Sequence, residues 1–237
     1  MKSPVITSAL LLMLAGSSAL AFAQSPTPKS ATQGQATGEE LYHVRFVKAA
    51  PGQLAALWAA ELKAPPDPDN PEPPIILRHA QGDDWQLLVI SPLGKDETIR
   101  AEAPPPALQE YFTKIRTLSA RHDDTIAQGP AWAEAKKVLL GDGGAGGVYL
   151  VGTFEAVPGH RDQLLAGLKE GPPGSTAPLI LTHREGASWT FLTIERYPSW
   201  AALGEMMQKQ VGAGPSPVSE HLAAHHDTIT VRLTAVP

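Results

Sequence analysis

The chain has 237 residues, no cysteine and a formal charge of −5, with hydrophobic side chains at 43% of positions. That length can bury one large core or two small ones. The missing thiols exclude disulfides, thiolate catalysis and cysteine-based metal or iron–sulfur sites. An acidic balance without a basic patch argues against nucleic acid as a partner.

The N-terminus reads as a targeting segment. Lys2 is followed by the apolar stretch Val5 to Leu14, and Ala21-Phe22-Ala23 supplies a small-x-small cleavage pattern. Gly16-Ser17-Ser18 interrupts the apolar run, which is too short for a membrane span of about 20 residues. A signal peptide over 1–23 is therefore expected, with export to the periplasm or medium and no membrane span in the mature chain. Gln24, where a lipoprotein would carry cysteine, argues against a lipid anchor. Residues 24–40, rich in Gln, Ser, Thr, Pro and Gly, are expected to form a disordered leader, because they offer too little apolar surface to offset their ordering entropy.

From residue 41 the chain is written twice. "YHVRFVKAAPG" (Tyr42 to Gly52) aligns with "YLVGTFEAVPG" (Tyr149 to Gly159), an apolar strand ending at a Pro-Gly turn. Each copy continues into a helix-period segment, with Leu54, Leu57, Trp58 and Leu62 in the first and Leu164, Leu165 and Leu168 in the second. A proline-rich loop follows, then a hairpin: "ILRHAQGDDWQLLVI" from Ile76 and "ILTHREGASWTFLTI" from Ile180. A second helix, expected over Ala107 to Arg121 and over Val218 to His225, leads to a last strand beginning "HDDTI" or "HHDTI".

The order strand, helix, strand, strand, helix, strand is the split β-α-β unit of ferredoxin-like domains. Leu87 and Val89 alternate with Leu88 and Ile90, so both faces of the hairpin strand are apolar and both must be covered. Helices cover one face, and the sheet of the other half is the natural cover for the second. The expected fold class is α+β, two tandem ferredoxin-like repeats (41–128 and 148–237) around a helix and Gly-rich linker (129–147).

On the first strand and its Pro-Gly turn, the helix after it and the hairpin with Trp85 or Trp189, the chain resembles the dimeric α+β barrel superfamily, which includes the antibiotic-biosynthesis-monooxygenase-like domains. The resemblance covers nearly all of 41–237. It implies an intramolecular pseudo-dimer, monomeric as a chain, with no single activity specified.

Pro130 and the run Ala131 to Leu140 predict a connecting helix. Gly141, Gly143 and Gly146 match the dinucleotide fingerprint by letters, but follow a helix and open a strand, the reverse of what phosphate binding requires.

His79 and His183 are the repeated polar residues nearest an interior, each expected to share a face with the hairpin tryptophan. An imidazole there could act as a general base, since its pKa lies near neutrality; packing on the indole is the structural alternative. Trp85, Trp189, Tyr42, Tyr149 and Phe191 are candidate ligand-binding aromatics and equally candidate core. His122 with Asp124, and His225 with Asp227, are expected where the second helix ends and the last strand begins. His221 and His225 would share a face on a helix and are weak metal candidates. No residue pattern calls for a cofactor. The expected function is binding a small hydrophobic or aromatic molecule in a pocket between sheet and helices. The alternatives are a cofactor-independent monooxygenase or isomerase using His79 or His183, and a haem or metal-binding barrel. Whether the chain is an enzyme stays open.

Overall fold

The computed structural model describes residues 39–67, 72–94, 103–141, 147–171, 177–211, 216 and 218–234. The expected signal peptide, most of the leader, and parts of the proline-rich loops and the Gly-rich linker lie outside the described residues. All the described residues belong to one compact unit.

The first half runs β1 (Glu39–Ala49), α1 (Leu54–Glu61), β2 (Ile75–Gln81), β3 (Leu87–Gly94), α2 (Pro106–Leu118) and β4 (Ser119–Pro130). After α3 (Trp132–Leu140), the second half repeats the order as β5 (Val148–Ala156), α4 (Arg161–Glu170), β6 (Leu179–Glu185), β7 (Phe191–Tyr197), α5 (Trp200–Gln210) and β8 (Leu222–Arg232). The fold is α+β, and its eight strands close into a barrel in the order β1-β3-β2-β8-β5-β7-β6-β4. Strand β1 begins two residues inside the stretch read as leader, because Glu39 and Glu40 pair with Pro130 and Gly129 of β4.

Three boundaries differ from the sequence expectation. Helix α2 stops at Leu118, so Arg121, His122 and Asp124 lie on a strand rather than at a helix end. The second helix of the second half is α5, upstream of the segment Val218 to His225. That segment is instead a single 3-10 turn, Ser219–His221, followed by β8. The run "HLAAHH" is helix-tolerant, but nine residues of β8 pair with β5 from Val148 to Ala156, and the sheet ladder overrides local preference.

The direction of the halves follows from the strand order. Every neighbouring pair is antiparallel. Matching strands such as β1 and β5 stand four steps apart around the ring, so they run parallel. The approximate two-fold relating the halves therefore lies along the barrel axis, and both hairpin turns fall at the same end.

Alternation sorts each strand into an inner and an outer face. Tyr42, Val44, Phe46, Leu88 and Ile90 point inward and join Tyr149, Val151, Leu192 and Ile194 of the other half in one core. Val47, Leu87 and Val89 point outward under α1 and α2. Phe154 and Phe191 point outward under α4, and Val148 and Tyr197 under α5. Both faces of β3 are thus buried, as its sequence requires.

The helix between the halves is more than a tether. Trp132, Ala135 and Leu139 of α3 belong to the interior core and close the end of the barrel where β1 and β5 begin. Tyr42 donates its hydroxyl proton to the Pro130 carbonyl, and Tyr149 donates to the Leu139 carbonyl at 2.6 Å. Its N-terminal end is tied to β1 by the Trp132 backbone N–H, which donates to the Glu40 carboxylate at 2.9 Å.

At the opposite end the two hairpins interlock. Gly82 and Gly186 have φ of 125° and 111°, a region that side chains disfavour. A Cβ on Gly82 would lie 2.8 Å from the Asp227 carbonyl oxygen, and one on Gly186 would overlap the Asp124 carbonyl oxygen. Each hairpin glycine therefore seats against the last strand of the other half.

Candidate functional site

With one end closed by α3, the described residues leave the barrel open between the hairpins. A cavity of about 540 Å³ occupies that mouth. Its walls are Trp85 and Trp189 from the two hairpins, Phe46 from β1, and Val151 and Thr153 from β5. The rim is polar: Asp83, Arg121 and Asp123 come from the first half, Ser188 and His226 from the second. An eight-stranded barrel has room for one small ligand when its interior is not filled by side chains. The expected pocket between sheet and helices is not where the larger space lies. The space near the helices, about 390 Å³, is a groove between α1 and α2 bordered by Lys63, Tyr111 and Lys114.

His79 packs edge-on against Trp85 at a ring separation of 5.7 Å, and His183 against Trp189 at 5.6 Å. The expected sharing of a face is what the structure has. Neither histidine lines the cavity; each supports the tryptophan that does. In this inner layer the Nε2 atoms of His79 and His183, Nε1 of Trp189, and the hydroxyls of Thr125 and Thr230 are buried without a hydrogen-bond partner.

Three candidate aromatics sit elsewhere. Tyr42 and Tyr149 are inside the barrel but at the closed end, fully buried with their hydroxyls committed to backbone carbonyls. Phe191 lies on the outer face under α4, with the Arg161 guanidinium 5.5 Å from its ring centre. Alternation reveals which face a residue takes; it says nothing about which end of the barrel the residue reaches.

The metal candidates are separated. His221 ends the 3-10 turn with its Nδ1 3.1 Å from that of His160, while His225 stacks on Phe154 at 4.3 Å and bonds Asp227 at 2.8 Å. They share no helix face, because no helix forms there. Around the mouth the hairpin histidines are covered by their tryptophans, while two rim histidines, His122 and His226, lie beside Asp124 and Asp83, the latter pair 3.5 Å apart.

A charged cluster stands at the mouth, and the sequence pairs two of its members, His122 and Asp124, both of which border the cavity; His43, distant in the chain, is the member it does not reveal. Asp124 receives His43 Nε2 at 2.7 Å on one oxygen and His122 on the other. Burial raises the Asp124 pKa, but the hydrogen bonds and charges of His43 and His122 outweigh it and hold the carboxyl at about 2.

No family model matches the chain, and no curated protein matches it in sequence. Among solved structures, an anthrone oxidase-like protein superposes with a TM-score of 0.55 at 11% identity, covering 83% of this chain and 92% of the other. A proposed monooxygenase from Fusobacterium nucleatum subsp. nucleatum superposes at 0.54 with 7% identity, covering 84% and 94%. Each match spans more than either half supplies alone. The fold is the dimeric α+β barrel. Here both of its halves are carried by one chain, and identities this low speak for the fold alone.

Proposed function

We propose that this protein is an exported, monomeric binder of a small, largely apolar molecule, held at the open mouth of the barrel. The observation that carries the reading is the cavity framed by Trp85 and Trp189 at the one end that α3 leaves open. The space is concave, with aromatic walls and a polar, charged edge, so it suits a small molecule with an apolar face and a polar group, since a few placed polar groups orient a ligand in such a site. The signal-like N-terminus supports export, and among the described residues no helix is long and apolar enough to cross a membrane. Titration of purified mature protein with small aromatic molecules, followed by tryptophan fluorescence, tests the reading. Trp85→Ala with Trp189→Ala abolishes binding if it is right, and unchanged binding in that double variant refutes it.

A second reading is an oxygenase or isomerase that needs no cofactor, with His79 or His183 moving a proton. The packing of each imidazole directly behind a cavity tryptophan favours it, and the name of the Fusobacterium neighbour makes oxygenation the reaction to assay first. His183→Asn then removes turnover while leaving ligand affinity within a few-fold. An assay in which both His79→Asn and His183→Asn keep full turnover ends this reading.

A further inference from the structure

The two tryptophans mark equivalent places in the two halves, so a mouth lying on the two-fold could offer two equal lobes. The side chains around it are not equal. Beside Trp189 stands Thr153, whose counterpart in the aligned first strand is Phe46. Phe46 is buried and packs edge-to-face on Trp85 at 5.1 Å, filling the space that Thr153 leaves free. On the last strands the counterpart of Arg121 is Ala224. Arg121 is held over the first-half side by Asp84 at 3.2 Å and Asp123 at 3.5 Å, and Asp84 is itself tied to Lys48 at 2.8 Å. On the second-half side a further space of about 120 Å³ opens, bordered by Thr153, Trp189 and Ala224. Two large residues in one half thus face two small ones in the other.

From this asymmetry, and resting on the ligand reading above, we infer that the mouth has one working lobe, against Trp189, and takes one planar aromatic molecule bearing a hydroxyl group. The flat walls are Trp189 and Phe46. The edge of the lobe carries the hydroxyls of Thr153 and Ser188 and the imidazole of His226, groups that both donate and accept hydrogen bonds. A hydroxyl on an aromatic ring finds partners there, whereas a bare hydrocarbon leaves those groups without the hydrogen bonds they make to water. Phe46 and Arg121 act as the plug of the first lobe.

The test is calorimetric titration with naphthol and with naphthalene, using the wild type, Thr153→Phe and the double variant Phe46→Thr with Arg121→Ala, each checked for folding by circular dichroism. The wild type binds one equivalent of naphthol, and naphthalene about tenfold more weakly. Thr153→Phe copies the plug into the working lobe and weakens naphthol by about tenfold or more. Phe46→Thr combined with Arg121→Ala, which removes both parts of the plug, opens the first lobe and admits a second equivalent, a gain that keeps the test decisive if Thr153→Phe does not fold, and its absence overturns the inference. Two equivalents in the wild type, full affinity in Thr153→Phe, or naphthalene binding as well as naphthol would overturn the inference while leaving the mouth as a ligand site. Failure of every version to bind either molecule overturns the proposed function and this inference together.

Discussion

Each half buries a carboxylate between its sheet and its helices, and the two are treated in opposite ways. In the first half Glu61 is fully buried, and the Arg45 guanidinium donates to both its oxygens at 2.6 and 2.7 Å while the Tyr111 hydroxyl donates at 2.7 Å. Burial lowers the Arg45 pKa, but Glu61 and Tyr111 more than restore it, so the guanidinium keeps its charge beside the Glu61 carboxyl. In the second half Gly152 and Leu168 stand where Arg45 and Glu61 do. The buried carboxyl is Glu195 of β7, whose partner is the Tyr197 hydroxyl at 2.5 Å. Burial raises the Glu195 pKa, and the nearby Asp227 charge adds to the rise against the opposing Tyr197 hydrogen bond. One repeat solves the burial of a carboxylate with a counter-charge, the other by favouring the proton. Shared topology therefore does not dictate shared electrostatics.

Substitutions at these carboxylates, at the hairpin glycines and at Asp124 test how differently the two halves are held. The largest effect is expected from Glu61→Ala, which strands the Arg45 charge in the interior and costs about 3–5 kcal/mol, read as a fall in the urea midpoint. Replacing the network together, with Arg45→Met, Glu61→Leu and Tyr111→Phe, recovers most of that loss, because an apolar set of similar volume needs no pairing. A triple variant as unstable as Glu61→Ala contradicts this account.

Next comes Gly186→Ala at the seam. Its Cβ meets the backbone of β4 at a positive φ, for a cost of roughly 2–4 kcal/mol. Gly82→Ala costs less, since its contact is looser, and equal midpoints for the two variants would show the seams to be equivalent.

Glu195→Gln moves the other way. A carboxyl whose folded-state pKa is raised above its unfolded value favours the native state only while protonated, so stability is lost as pH rises through the folded value. The variant escapes that loss. Its midpoint exceeds wild type at pH 7, by less than Glu61→Ala loses, and the difference vanishes as pH falls through the usual carboxylate range. Destabilisation at pH 7 is the contrary result.

The smallest effect belongs to Asp124→Asn. A carboxyl held at about 2 contributes stability above its unfolded value near 3.9, lost as pH falls between the two. Asp124 is 39% exposed, so solvent screening limits the contribution to under about 1 kcal/mol. Thermal melts across pH 2 to 6 resolve it as a flatter acid limb in the variant.

The element order and the two-sided burial of the hairpin strands were readable because they rest on periodicity and repetition within short windows. Leu87 to Ile90 alone demanded a second sheet. The His–Trp contacts were readable for the same reason. What escaped depends on distance along the barrel or across the chain. Tyr42 and Phe46 have the same inward parity, yet one lies under α3 at the closed end and the other at the mouth. His43 joins His122 and Asp124 only because β1 and β4 pair in one register. The helix expected over Val218 to His225 was overruled by the same kind of long-range pairing.

A homodimer inherits every change twice: a phenylalanine written at one rim appears at the other. Because α3 joins the halves, Phe46 and Thr153 are spelled by separate codons at places that geometry makes twins. The closed end shows the same freedom, since a single helix fills a spot on the axis where a symmetric pair would have to meet its own image. Fusion thus lets one copy keep the vacancy while its sibling becomes the wall.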